Sequence, residues 1–366
     1  MTESSTETPD TQVPAPRSAS IAWLRVLAIS GVVLIHVSGA VVVRPDLAGT
    51  PVYAVAAVMN GATRFCVPLF VLVSGALLLR PSAMNGGMSA FYRKRLARLI
   101  PAIIVWHLVY LAFRRFVRSQ RLDFVDVVVQ VLGGRVYTAL YFFWLILGLY
   151  FVAPLLWNAC RDFTSRQRLN LALVVLALTC VWQSTLGIFV WQGVEGSPGT
   201  QTIWTLWIPY VGYFLLGGAL RELTPTLRSG LLGLGLTMVG AGVTTWQVYG
   251  DPPRAVDVLA PFGYWSWFVA ATTVGLWLAG SWFWRAGTLA SRGAVGRTGD
   301  LLGSLTLGVF AVHLIVLYFV QGWLTPGLVE GTVRAPALLG LAAVVLVLSW
   351  TIAWVMSLIP GLRRIV

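Results

Sequence analysis

Arg25 and His36 stand eleven residues apart in the apolar run WLRVLAISGVVLIHV. Eleven residues is close to three helical turns, so both side chains leave one helix face, about 16 Å apart along its axis. A neutral imidazole can take a proton from an attacking hydroxyl, and a long ligand lying along that face could touch both groups. The competing account is that Arg25 snorkels to a membrane surface while His36 bonds a neighbouring helix; spacing alone leaves both open. The next apolar run, GATRFCVPLFVLVSGALLL, carries Arg64 four residues before Pro68. A proline there is expected to free a carbonyl and bend the helix. The guanidinium could satisfy that carbonyl or bind an anion. In FYRKRLARLIP, Arg95 and Arg98 are three residues apart, hence on one helix face. Placed at the start of a helix, their forks suit phosphate, and so does the helix N-terminus; an ordinary cluster of membrane-surface charge is the alternative. His313 sits in LLGSLTLGVFAVHLIV and His107 in PAIIVWHLVY. Each could be a packed interhelical histidine, and His107 is read as one.

The elements that must hold these groups are membrane helices. Of 366 residues, 57% are apolar and only 11% charged, against roughly 25% charged in a soluble domain. Mean hydropathy is +0.79. Such a chain cannot dress its exterior for water, which excludes a cytosolic enzyme, a disordered tail protein and a disulfide scaffold. A span needs about 20 apolar residues. Ten windows qualify: 20–43, 52–79, 97–117, 136–158, 168–190, 203–221, 229–249, 261–284, 301–323 and 336–358. The expectation is an all-α polytopic membrane protein of about ten transmembrane helices. Residues 1–19, rich in Ser, Thr and Pro, read as a disordered polar tail; 20–360 form one transmembrane domain, and 361–366 a short basic tail.

The formal charge is +13, and Lys94 is the one lysine among 26 basic residues. These residues lie in short segments between apolar runs, with no basic domain for nucleic acid, so anionic lipid is the expected partner. With both termini inside, sixteen basic residues fall in inner segments and eight in outer ones, which favours N-in and C-in. The exception is the outer segment 114–135 with five arginines; it also carries DFVDVVVQVL at 123–132, the pattern of a short surface helix. All 13 acidic residues fall in loops, in the tail or at span ends. Proton-coupled pumps relay through intramembrane carboxylates, so a transporter is disfavoured. Cys66, Cys160 and Cys180 form no CxxC pair, and neither a metal site nor a disulfide is expected.

Taken in order, these segments resemble the acyltransferase 3 family of integral-membrane O-acyltransferases, over about residues 20–360. Arg25 and His36 match its Arg-x10-His pair. RFCVPLFVLVSG, from Arg64 through Pro68 to Ser74 and Gly75, matches its second-helix stretch, and RLARLIP, with Arg95, Arg98 and Pro101, its Arg-x2-Arg signature. YFFWLILGLYFVAPLL at 141–156, with Trp144, YVGYFLLGGAL at 210–220 and SLTLGVFAVHLIV at 304–316 are similar to three later blocks. Two positions depart from the family's pattern. A histidine often precedes the Trp144 block, where Ala139, Leu140 and Tyr141 stand, and a tyrosine usually stands at Phe310.

The resemblance implies transfer of an acyl group, often acetyl, from cytosolic acyl-CoA to a hydroxyl of a glycan, a lipid-linked sugar or a secondary metabolite, in a bacterial plasma membrane. It implies His36 as base with Arg25 lining the donor path, and Arg95, Arg98 and Arg64 around acyl-CoA. His313, Ser74 and Trp144 would contact substrate, with no metal and no nucleic acid involved. With no mid-span carboxylate, the partner orienting His36 is expected to be a carbonyl, a tyrosine, or a serine such as Ser74 or Ser304. A transporter or flippase of a lipid-linked or hydrophobic substrate is the rival, and a non-catalytic membrane scaffold a second.

Overall fold

The computed structural model describes residues 19–193, 201–285, 293–322, 327 and 334–366. The expected tail lies outside them up to residue 18, as do Arg17 and Arg292 of the charge count. Among the described residues the regular structure is helical, without strands. The helices are α1 (Ala19–Val42), α2 (Pro51–Gly61), α3 (Cys66–Leu78), α4 (Pro81–Met84), α5 (Gly87–Ala112), α6 (Phe124–Leu132) and α7 (Tyr141–Cys160). They continue with α8 (Ser165–Trp191), α9 (Val211–Leu220), α10 (Leu227–Tyr249), α11 (Arg254–Leu259), α12 (Trp267–Phe283), α13 (Gly293–Gln321) and α14 (Ala335–Leu358).

Among the described residues, eight helical segments are long and apolar enough to cross a bilayer, and two shorter apolar ones, Ile208–Leu220 and Trp267–Phe283, fall in the remaining windows. The chain is an all-α polytopic membrane protein. Two windows differ from their expected form. The second is two helices, because the backbone turns at 62–65 and restarts at Cys66. Pro68 therefore sits in the first turn of α3, where its missing N–H has no intrahelical role, and bends nothing. The third begins ten residues early, at Gly87, and ends in a π-helical turn at Phe113–Val117. The stretch 123–132 does form a short helix: Asp123 caps α6 by accepting from the Val125 N–H at 2.9 Å. Its Phe124, Val125 and Val129 are exposed.

The helices sort by burial. α1 packs on α2, α3, α12, α13 and α14. α8 and α10 leave Leu173, Leu178, Trp182, Leu231 and Met238 exposed, as a lipid-facing layer must. α3 and α9 cross at the centre. A Cβ at Gly75 would collide with the Phe214 carbonyl oxygen, and one at Gly217 with that of Leu72. These glycines let two backbones approach to contact, the usual small-residue device where hydrophobicity cannot drive helix association. The turn after α1 is clipped by Arg44 and Asp46 at 2.6 Å. The bond from Arg44 holds the Asp46 carboxyl below its usual range. The last two residues are packed: the Trp106 indole N–H donates to the Ile365 carbonyl at 3.0 Å, and Ile365 and Val366 are buried, while Arg363 and Arg364 are exposed.

Candidate active site

Two chambers lie back to back inside the bundle. The first, about 240 Å³, is walled by Arg25 of α1, Phe70 and Ser74 of α3, and Lys94, Arg95 and Arg98 of α5; Phe142 and Tyr150 of α7 and Thr306 and Phe310 of α13 complete it. Arg25 Nη2 donates to Thr306 Oγ1 at 2.6 Å. Arg95 Nε is buried without a partner, and Arg98 Nη2 donates to the Val366 backbone oxygen at 3.3 Å. No carboxylate lines the chamber among the described residues, so four cationic side chains face one space. Arg95 and Arg98 share a face as their spacing requires. They lie eight and eleven residues into α5 rather than at its start, and since the helix dipole acts only over the first turn, it lends them nothing. Their positive field is their own.

The second chamber, about 330 Å³, is walled by His36, Cys66, Thr138, Tyr141, Phe142, Tyr210, Tyr264, Trp265 and Phe310. His36 also floors a third, wider space of about 400 Å³ that contains Arg114, Arg118, Arg135, Thr138 and Tyr318. His36 is thus reachable from two spaces. Phe142 and Phe310 stand on the walls of both the arginine chamber and the second chamber, their rings 5.2 Å apart. One layer of aromatic rings separates the guanidinium groups from the imidazole.

Behind His36 lies His313, fully buried, with ring centroids 5.3 Å apart. His313 Nδ1 faces the carbonyls of Phe310 at 2.7 Å and Val309 at 3.2 Å. Carbonyls only accept, so Nδ1 carries the proton and Nε2 is left as a bare acceptor; Nε2 indeed has no partner. The sequence left the partner of His36 to a carbonyl, a serine or a tyrosine. The ring beside it is a second histidine, and His313 itself lines none of the three spaces. The serines are occupied elsewhere. Ser74 Oγ donates to the Phe70 carbonyl at 2.8 Å and exposed Ser304 Oγ to that of Leu301 at 2.7 Å. The Tyr141 hydroxyl and the Trp265 indole N–H, both on the wall of the His36 chamber, are buried beside the Tyr210 and Tyr264 side chains without a well-formed hydrogen bond to them. Unpaired polar atoms cost free energy in a membrane interior, and a polar ligand in that chamber would satisfy them.

Arg64 does not join Arg95 and Arg98. It sits at the break between α2 and α3, where Nη2 donates to Asn60 Oδ1 at 2.6 Å. Its guanidinium lies 4.2 Å from the Phe262 ring centroid and 5.8 Å from that of Tyr264, an arrangement that keeps a charge in an apolar setting. Asn60 in turn donates to Ser38 Oγ at 3.2 Å and to the Ile35 carbonyl at 3.4 Å. This buried polar chain fixes α2 against α1 one residue from His36. The sequence offered no sign of it, since a lone Asn in an apolar run has no periodic partner. Cys66 is the other surprise: its distance in sequence hid that it shares a chamber with His36.

Trp144 and His107 bind each other. The Trp144 indole N–H donates to His107 Nε2 at 3.0 Å, while His107 Nδ1 faces the Ile103 carbonyl at 2.8 Å. His107 is the packed interhelical histidine expected of it, clamping α5 to α7, and Trp144 lines none of the three spaces. Trp144→Phe should leave His107 Nε2 unpaired, at a cost of about 1–3 kcal/mol. The expected result is a lower thermal midpoint in detergent with both substrate KM values unchanged. A raised acceptor KM at unchanged stability would instead mean that Trp144 touches substrate.

The chain matches the acyltransferase 3 family, described as an acyltransferase domain, over residues 18–354. The chain belongs to that family and is a membrane acyltransferase. No curated protein and no solved structure matches it.

Proposed function

We propose that the protein moves an acyl group, acetyl in the first instance, from cytosolic acyl-CoA to a hydroxyl of a glycan, lipid-linked sugar or secondary metabolite in the bacterial plasma membrane. The observation that carries this reading is the aromatic layer of Phe142 and Phe310 between a cationic chamber and one containing His36. The cationic chamber, lined by Arg95, and the wider space on the far side of His36, lined by Arg114, belong to opposite ends of the bundle. Arg95 and Arg114 lie nineteen residues apart along α5 and its π-helical extension, about 28 Å, which is close to a hydrocarbon thickness. The charge distribution favours the Arg95 end as cytosolic.

Acyl-CoA has phosphates at one end and a thioester at the end of a long pantetheine arm. In this reading Arg95 and Arg98 hold the phosphates. The arm runs past Arg25 and Thr306, and with the Phe142 and Phe310 rings swung apart the thioester passes that layer to reach His36. The acceptor hydroxyl comes to His36 from the other side. His36 takes the hydroxyl proton as the oxygen attacks the thioester carbonyl; the tetrahedral intermediate collapses, the C–S bond breaks, and the proton passes to the departing CoA thiolate. His313, its Nδ1–H held by the Phe310 and Val309 carbonyls, keeps the His36 ring in place.

Sidedness tests the proposal. Acyl-CoA does not cross bilayers, so sealed proteoliposomes of known orientation should release CoA only when donor is supplied at the Arg95 face and a hydroxyl acceptor at the other. Release from both faces alike would overturn the two-sided mechanism. Movement of acceptor across the bilayer without CoA release would instead support the transporter reading.

A further inference from the structure

Five arginines in 114–135 run against the charge bias of the rest of the chain, and neither membrane orientation nor donor binding uses them. Three of them, Arg114, Arg118 and Arg135, converge on the space whose floor is His36. Arg114 is committed to the fold. Its Nε donates to Gln120 Oε1 at 2.8 Å, and Nη1 donates to Gln130 and to the Val136 carbonyl. It thereby ties the π-helical end of α5 to α6 and to the strip before α7. Arg118 and Arg135 are different: both are exposed and neither forms an ion pair among the described residues. Arg118 lies 5.9 Å from the Tyr318 ring centroid. No carboxylate lines the space among the described residues, and Gln120 and Thr138 add neutral hydrogen-bonding groups. Its volume, about 400 Å³, is within the roughly 300–1,000 Å³ of small-molecule sites.

We infer that the acceptor carries an oxyanion, a phosphate or a carboxylate, beside the hydroxyl that is acylated, and that Arg118 and Arg135 hold that oxyanion above His36. Guanidinium forks pair with both kinds of oxyanion in two-point geometry, and an acid-free mouth repels cationic acceptors. The chemistry of anionic lipid headgroups is the same, so the test must separate the two sources. The inference rests on the acyl-transfer reading and refines its acceptor class.

Two measurements on the full chain in phosphatidylcholine nanodiscs decide it. The first is the ratio of kcat/KM for methyl glucuronide or glucose 1-phosphate to that for methyl glucoside, read as CoA release. Wild type should favour the anions. Arg118→Gln with Arg135→Gln should lower the ratio about tenfold, the low end for charge-assisted bonds because both groups are exposed. Arg118→Lys with Arg135→Lys should keep most of the preference, and Arg135→Glu, a change at an exposed side chain, should invert it. An unchanged ratio in the Gln and Glu variants overturns the inference. The second is equilibrium binding of radiolabelled glucose 1-phosphate without acyl-CoA, which needs no turnover. Arginine-dependent binding without CoA release from any acceptor would establish the oxyanion site while overturning the transfer reading and, with it, the acceptor role inferred here. Transfer without anion preference or arginine-dependent binding would do the reverse. Discs containing phosphatidylglycerol supply the lipid arm. If the arginines serve only headgroups, glucose 1-phosphate will not bind in phosphatidylcholine discs, and the substitutions will alter only phosphatidylglycerol association; that result also overturns the inference.

Discussion

Replacing His36 by alanine is expected to lower acyl transfer by about 10²–10⁴-fold, the usual contribution of a positioned general base. His36 stands on the walls of two chambers, and among the described residues their walls hold no carboxylate that could replace it. The loss should fall on kcat, with the apparent KM for acyl-CoA little changed, because the phosphates are assigned to Arg95 and Arg98 on α5, in the chamber of Arg25, which itself lies about 16 Å from His36 along α1. A kcat loss with an unchanged donor KM is the signature of an interaction made only in the transition state. His36→Gln should show the same loss, since an amide fills the site without acting as a base. Wild-type turnover in His36→Ala would end the general-base assignment. Failure of both variants to fold would be visible in their thermal midpoints, and His313→Gln then provides the measurement. It keeps His36 and removes the ring packed against it, so it should lower kcat by a smaller factor than loss of the base itself.

The second large effect is on donor affinity. Arg98→Ala should raise the apparent KM for acyl-CoA about tenfold and the Arg95→Ala, Arg98→Ala pair about a hundredfold, from about 1.5–3 kcal/mol per charge-assisted bond, discounted for the exposed Arg98. kcat at saturating donor should hold. The control is an acyl-pantetheine, which has the thioester and the arm but lacks the nucleotide phosphates. Its KM should be indifferent to both substitutions. If both donors weaken alike, the arginines shape the chamber instead of reading phosphate. If neither weakens, they are ordinary surface charge. Arg64→Gln offers a contrast: bonded to Asn60 and lying on Phe262 and Tyr264, Arg64 should affect stability more than donor KM.

Much of this is legible in the sequence alone. Length and hydropathy gave the membrane class and the ten apolar segments, because the cost of exposing a backbone to lipid admits only long apolar helices here. The eleven-residue spacing placed Arg25 and His36 on one face, and both do face α13, through Thr306 and His313. The three-residue spacing of Arg95 and Arg98 likewise held. Such inferences survive because helical periodicity is local and depends on no partner. The expected kink at Pro68 and the expected helix start near Arg95 failed for a related reason. Helix ends in a continuous apolar run are set by where the chain must turn to pack; α2 ends at Gly61, where a Cβ would meet the α10 backbone at Thr244 and Thr245 and where Thr244 Oγ1 donates to the Gly61 carbonyl at 2.9 Å.

The sequence by itself therefore determined that this is a many-spanned helical membrane protein, resembling an acyltransferase family, with an arginine and a histidine aligned on its first helix. Only the tertiary structure decided which charges share a space. It set Arg64 apart on aromatic rings, put His313 behind His36, drew Phe142 and Phe310 between the chambers, and brought Arg118 and Arg135 over the imidazole. The physical reason is that one apolar helix face looks much like another in sequence. Which faces meet is chosen by steric fit over the whole bundle, and the residues brought together at the site come from segments nearly three hundred positions apart.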